Sequence, residues 1–547
     1  MNALTLILFS VAWLLFAYFW YGGKLSKKVL KINSNNPTPS QTNYDGIDYV
    51  PTKPIILFGH HFSAIAGAGP IVGPILAYAY FGWLPAMIWI LVGSVFMGAV
   101  HDFSALVISL RNQGRSIVEI ADGAVSKTAS MLFAVFVWLT LTLVQAVFAD
   151  LTAKTLIEQP EIAFPTVALI FIAMGFGLMV YKLKINVYAS TMLALLALVL
   201  SVWVGTLLPI YLSYTTWLVI IVLYSFFAAI IPVWILLQPR DYISTYILII
   251  GMVLGIVGIS ILNPSITGPT FTGLIHQTAK GSISLFPMLF ITIACGAISG
   301  FHSLVASGTT AKQLDKEENA QKIAYGGMLT EALLAALVVT MIASVLTWDT
   351  SGTSTADNVF QKFLGQSAEI VYGNALGRSI AVFGIPLSFG VQFGILMLNA
   401  FILTSLDASA RLNRYVMQET LGIKYGGLFK NRYFASGTSL LLAFLLCIGN
   451  GYQTVWPIFG ASNQLIATLA LFTVSAYLFG VKSPKLYTLI PAFIMLIITE
   501  SSLVINAIDY SNQNNFTLVI IAIILFLLGL FVAYEATRKI LKIKKTN

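Results

Sequence analysis

His60-His61-Phe62-Ser63-Ala64-Ile65-Ala66-Gly67-Ala68-Gly69-Pro70-Ile71-Val72-Gly73-Pro74 is an apolar stretch that cannot form one unbroken helix. Pro70 and Pro74 donate no backbone hydrogen bond, and Gly67, Gly69 and Gly73 weaken the helix around them. The stretch lies inside an apolar run, residues 59–81, long enough to cross a bilayer. A helix broken at that depth leaves N–H groups free on one half and carbonyls free on the other. The first attract a carboxylate and the second a cation. The plainer alternative is a proline-kinked packing helix whose glycines admit a close neighbour. The adjacent histidines favour a site. Ser63, Gly67, Gly69 and Pro70 are then candidate substrate contacts, and His60 and His61 candidate proton carriers.

The rest of the chain supplies the membrane. It is 58% hydrophobic and 9% charged, with a mean hydropathy of +0.87. Its apolar runs predict about 15 transmembrane helices. They fall near 4–21, 59–81, 84–110, 128–149, 165–181, 186–208, 215–237, 245–262, 286–308, 325–347, 378–404, 434–450, 456–479, 487–508 and 516–537. Numbering the connections alternately puts 26 of the 30 Lys and Arg residues in one set, among them Lys53, Lys312, Arg411 and Lys545. The other set holds Lys154, Lys280, Lys362 and Arg378. The positive-inside rule makes the richer set cytoplasmic, with the N-terminus outside and the C-terminus inside.

This charge pattern accounts for the net charge of +9 without nucleic acid, which is not expected as a partner. Cys295 and Cys447 lie in apolar runs, give no disulfide framework and read as small core residues. The first run has no basic residue before it and no small-residue cleavage site, so it reads as an anchor rather than a signal peptide. The stretch Lys24–Lys53 is polar and expected on the cytoplasmic surface. The stretches Asn263–Leu285 and Trp348–Gly377 are expected outside.

Three further spans are interrupted. Tyr224-Ser225 lead to Pro232 and then to Gln238-Pro239-Arg240-Asp241-Tyr242, where Arg240-Asp241 reads as a helix-end ion pair. In Cys295-Gly296-Ala297-Ile298-Ser299-Gly300-Phe301-His302-Ser303, the residues Ser299, His302 and Ser303 recur at helical spacing. Their hydroxyls can meet a substrate or cation, or bond back to the helix. The fourth is Val455-Trp456-Pro457-Ile458-Phe459-Gly460-Ala461-Ser462-Asn463-Gln464, where interhelical bonding is as natural as a ligand site. Tyr224, Ser225, Ser299 and Ser303 complete the substrate-binding candidates. His101, Asp102, His302 and Glu331 join His60 and His61 as ion-coupling candidates, because ionisable groups inside spans are costly unless they function. A zinc site drawn from His60, His61, His101, Asp102 and His302 lacks HExxH and a cysteine pair, so no metal or other cofactor is expected.

Spans two to six and seven to eleven form two oppositely oriented blocks of five, each headed by an interrupted helix, with Phe62-Ser63-Ala64-Ile65 echoed by Phe227-Ala228-Ala229-Ile230. That arrangement marks an alternating-access transporter. The expected division is an N-terminal helix and cytoplasmic loop (1–54), a first repeat (55–208), an inverted second repeat (209–410) and C-terminal accessory helices (411–547). Asp45-Gly46-Ile47-Asp48-Tyr49-Val50-Pro51-Thr52, Phe58-Gly59-His60-His61-Phe62, Gly98-Ala99-Val100-His101-Asp102-Phe103, Gly114-Arg115-Ser116, Leu237-Gln238-Pro239-Arg240-Asp241-Tyr242, Ser299-Gly300-Phe301-His302-Ser303 and Phe459-Gly460-Ala461-Ser462-Asn463-Gln464 resemble the motifs of the carbon starvation protein A family. The resemblance implies a bacterial inner-membrane uptake protein for peptides or pyruvate in nutrient limitation, with a core similar to the amino acid–polyamine–organocation superfamily.

The expectation is therefore an all-α polytopic membrane protein with a five-plus-five inverted-repeat core. It would be a secondary transporter, not an enzyme, importing a small carboxylate-bearing nutrient. Short peptides come first and pyruvate–proton symport second. The coupling ion is expected to be H+, with Na+ the alternative, and oligomeric state is open. A channel should not need matched broken helices, and a nutrient-sensing receptor usually needs a cytoplasmic output domain. No hydrolase motif is legible.

Overall fold

The computed structural model describes residues 2–278, 281–346, 368–448, 458–484 and 486–546. Among these, 12 helices are long and apolar enough to cross a membrane by length and composition. The chain runs through α1 (Ala3–Ala17), then α2 (Pro54–Ala66) and α3 (Gly69–Phe81), which together make one span. Helices α4 (Trp83–Gly93) and α5 (Ala99–Arg111) make the next, and a short amphipathic helix α6 (Ile117–Ala124) follows. Then come α7 (Lys127–Glu158), α8 (Ala163–Gly177), α9 (Val187–Leu207), α10 (Tyr214–Ile230) and α11 (Leu237–Leu262). The ninth predicted span is split into α12 (Leu285–Thr292) and α13 (Gly300–Gly308). The remainder is α14 (Gly326–Val345), α15 (Ala368–Ile380), α16 (Leu387–Tyr425), α17 (Arg432–Ile448), α18 (Phe459–Gly480), α19 (Leu486–Asn512) and α20 (Phe516–Thr546).

Several helices start where a polar side chain satisfies an otherwise free N–H. Ser116 accepts from Glu119 N, Ser126 from Ala129 N and Ser213 from Thr216 N. Among the described residues the all-α expectation is modified by a small hairpin in the 263–285 connection, where β1 (Ile275–Thr278) pairs antiparallel with β2 (Gly281–Ser284). Residues 348–367 of the other expected external loop, and Val455, Trp456 and Pro457 of the fourth interrupted span, lie outside the described residues.

Burial sorts the spans into centre and rim. The apolar windows of Glu317–Val345 and Phe459–Gly480 are 83% and 89% buried, against 33% for both Ala3–Val29 and Val187–Leu207. The rim helices expose large apolar residues such as Phe19, Met192 and Trp203, an outer face suited to lipid and not to water.

The Lys24–Lys53 stretch does not lie free on the surface. Ser40 Oγ donates to Leu314 O at 2.6 Å and Thr52 N to Gln313 O at 3.0 Å. Val233 N, just after the end of α10, donates to Ile47 O at 3.0 Å. Arg411 and Arg414 of α16 both grip Asp48, at 2.5 and 2.8 Å. Burial alone would raise the Asp48 carboxyl, but the two guanidinium groups outweigh it and hold it well below the usual carboxylate range.

Candidate functional site

Helix α2 stops at Ala66, Gly67 leaves helical geometry (φ 9°, ψ −149°), and α3 starts at Gly69. Pro70 falls in the first turn of α3, where its missing N–H costs nothing, and Pro74 sits within the helix. The break is therefore set by the glycine step and not by the prolines. Residues 293–299 form a second unwound segment, between α12 and α13. The two breaks touch. A Cβ on Gly69 would lie 2.3 Å from Cys295 Sγ, and one on Gly73 would lie 2.5 Å from Thr292 O. One on Gly67 would meet Ser405 Oγ of α16 at 2.8 Å. Gly69 leaves room for the Cys295 side chain of the second break, Gly67 for Ser405, and Gly73 lets α3 approach the Thr292 carbonyl.

Beside the breaks lies a fully buried chain of ionisable groups. Asp102 on α5 accepts from His101 Nδ1 at 2.8 Å and from His302 Nδ1 at 3.0 Å. His302 Nε2 then faces Glu331 Oε2 of α14 at 3.4 Å. Among the described residues no Lys or Arg pairs with Asp102 or Glu331. His302 Nε2, His101 Nε2 and both Glu331 oxygens have no hydrogen-bond partner. Cys295, His302 and Glu331 offer donor atoms within 4.8 Å of one another.

The adjacent histidines of α2 diverge. His61 Nδ1 meets Thr310 Oγ1 at 2.8 Å and its Nε2 is unpartnered. His60 Nδ1 donates to Asp241 at 2.5 Å, and Gln313 donates to His60 Nε2 at 3.1 Å. The five residues considered for zinc thus split into three environments: His101, Asp102 and His302 stay together, while His60 and His61 each turn to other partners.

Arg240 and Asp241 do not pair with each other at a helix end. Both are buried in the first turns of α11, because α10 ends at Ile230, before Pro232. Adjacent residues on a helix point apart. Arg240 takes Asp407 of α16 and Asp241 takes His60. Tyr224 OH and Ser225 Oγ also donate to Asp407, at 2.7 and 3.1 Å.

The candidate hydroxyls have different surroundings. Ser63 Oγ is buried and unpartnered. Ser299 precedes α13 and accepts from Asn463 Nδ2 at 3.0 Å, while Asn463 Oδ1 caps Phe301 N at 3.0 Å. Ser303 Oγ donates to Gly300 O at 2.8 Å, within its own helix. The sequence does not single out Asp241, Gln313 or Cys295 as site residues, and of the two readings open for Asn463 the interhelical bond is the one seen. Asp407 is legible in sequence only as one of the few ionisable groups within the apolar runs, with no role attached.

A family profile described as "Carbon starvation protein CstA" matches residues 2–382 and 365–502. Among curated relatives, the peptide transporter CstA of Bacillus subtilis is 36% identical, over 89% of this chain and 87% of its own length. The peptide transporter CstA of Escherichia coli is 35% identical over 91% and 80%. The pyruvate/proton symporter BtsT of Escherichia coli is 33% identical over 92% and 81%. A solved manganese transporter of Eremococcus coleocola is similar in fold alone, at 12% identity and a TM-score of 0.51, over 91% of this chain and 99% of that one. Matched over most of its length by the profile and by these relatives, the chain belongs to the carbon starvation protein CstA family.

Proposed function

We propose that the chain is a secondary transporter importing a small carboxylate-bearing nutrient, short peptides first, across the bacterial cytoplasmic membrane by ion-coupled alternating access. The meeting of two unwound segments beside a buried histidine–carboxylate chain carries this reading. Broken backbone at membrane depth supplies the free N–H and carbonyl groups that a substrate needs. Gly67, Gly69, Pro70 and Ser63 at the first break are the proposed substrate wall, together with Ser299 and Ser303 at and after the second. Tyr224 and Ser225, both bonded to Asp407, complete the proposed substrate contacts. His61, Asp102 and His302 are the proposed proton carriers, with His60, His101 and Glu331 as their neighbours.

The shorter apolar helices α10 and α17, and α12–α13 taken as one interrupted crossing, support fifteen crossings. The proposed division remains 1–54, 55–208, 209–410 and 411–547, the middle two as inverted five-helix repeats. Pyruvate–proton symport is the second reading, favoured by the relative that bears that name. Uptake of labelled dipeptide and labelled pyruvate into proteoliposomes, under imposed proton or sodium gradients, tests both. Accumulation of either driven by a gradient is expected. Mere equilibration would mean a channel, and no entry of either would reject the transport reading.

A further inference from the structure

We propose that Cys295, His302 and Glu331 form a binding site for one divalent transition-metal ion of the zinc class. The three residues come from the unwound segment 293–299, from α13 and from α14, and their donor atoms lie within 4.8 Å of one another. The decisive contact is His302 Nε2 to Glu331 Oε2. In the neutral tautomer that donates from Nδ1 to Asp102, Nε2 presents a lone pair, and it faces a carboxylate oxygen of Glu331 at 3.4 Å. With Glu331 ionised, two acceptors face each other there, and a cation between them, whether a proton or a metal ion, relieves the repulsion. That distance is longer than the roughly 2.7–3.2 Å of an N–H···O hydrogen bond. It matches the separation, roughly 3.3–3.8 Å, between neighbouring ligand atoms around a tetrahedral ion with bonds of about 2.0–2.3 Å.

Three further observations point the same way. His302 Nε2 and both Glu331 oxygens are buried with no hydrogen-bond partner. Asp102 orients His302 through the ring nitrogen that a metal would not use, the carboxylate–histidine–metal relation of protein zinc sites. Among the described residues no Lys or Arg offsets the two carboxylates, so a divalent cation supplies the missing charge. Thiolate, imidazole and carboxylate together suit zinc or cobalt better than calcium or magnesium. Cys295 is the half-buried member of the three. Metal and proton compete for the same lone pairs, so in the transport reading a bound metal is a brake. The site itself needs no assumption about cargo.

Metal-stripped full-length protein in detergent is titrated with zinc and, separately, with cobalt. One ion per chain is expected, and the cobalt form should carry thiolate-to-cobalt charge-transfer absorption. That band should vanish in Cys295→Ser and persist in Cys447→Ser. Asp102→Asn should keep the stoichiometry and weaken zinc binding about 10–100-fold. A readout that needs no change at the site uses the Cys447→Ser protein, in which zinc should slow alkylation of Cys295 by a maleimide. No saturable zinc binding by the unaltered protein, a cobalt complex without thiolate absorption, or unprotected Cys295 would each overturn the site.

Discussion

At the scale of the residue, the governing cost is charge held out of water. Asp102 meets it with two histidine N–H donors, an arrangement that passes a proton more readily than a fixed salt bridge does. Asp102→Asn or His302→Gln should therefore abolish uptake driven by a pH gradient and leave substrate exchange, which needs no net proton movement. Exchange lost together with driven uptake would count against the assignment. Asp407 meets the cost differently, through Arg240, Tyr224 and Ser225. Removing one member of such a buried pair costs about 3–5 kcal/mol, while replacing both by apolar residues costs much less. Thermal unfolding should rank Asp407→Ala well below the double variant Arg240→Met/Asp407→Leu. Outside the membrane, burial and then the neighbouring Glu419 push Glu119 of α6 up to about 7. The folded protein thus keeps a proton that the unfolded chain releases near an ordinary glutamate pKa of about 4.3. Stability should fall as pH rises between those values and level off above the higher one, and Glu119→Gln should remove that slope from a melting-temperature profile.

At the scale of the element, the breaks were legible because glycine and proline declare themselves in sequence, but their positions were not. Pro70 and Pro74 stand out in the sequence, yet the chain unwinds at Gly67–Ala68: Pro70 is harmless in a first turn, and Pro74 sits inside α3 without ending it. The partner of Gly69 could not be read at all, because the contact with Cys295 spans more than 200 residues of sequence and no spacing rule reaches so far. The same limit hid the true partners of Arg240 and Asp241: adjacency suggested a pair, and tertiary packing sent each to a different helix. The touching breaks make a sharp prediction. Gly69→Leu should abolish uptake, and Gly69→Ala alone should lower the melting temperature, because Cys295 Sγ and Cβ stand 2.3 and 2.4 Å from the new Cβ. The swap Gly69→Ala/Cys295→Gly removes both atoms and should restore folded yield. A Gly69→Ala protein as stable as the parent would mean the two segments do not touch.

At the scale of the whole molecule, the uneven spread of basic residues predicts which connections share a membrane side, and contacts between connections offer an independent comparison. The segments around Ile47–Thr52, Val233, Gln313 and Arg411 are joined to one another by hydrogen bonds and ion pairs, and all belong to the Lys- and Arg-rich set or border it. The opposite set also meets itself: Ala3 N donates to Pro264 O, Trp83 N to Pro269 O, and Thr272 N to Phe81 O. Gly82, with φ 86°, turns the chain there so closely that a Cβ would lie 2.6 Å from Thr270 O. Among the described residues these contacts join each end to itself, which requires an even number of crossings between the joined segments, as the charge alternation does. Contacts alone do not say which end is cytoplasmic, whereas the positive-inside rule does. With Cys295 and Cys447 replaced, a single cysteine at Asn514, between α19 and α20, should react with an impermeant maleimide applied to intact cells. A cysteine at Lys316, exposed at the other end, should react only after the membrane is opened. Labelling of position 316 but not 514 in intact cells would invert the orientation, and labelling of both would break the alternation itself.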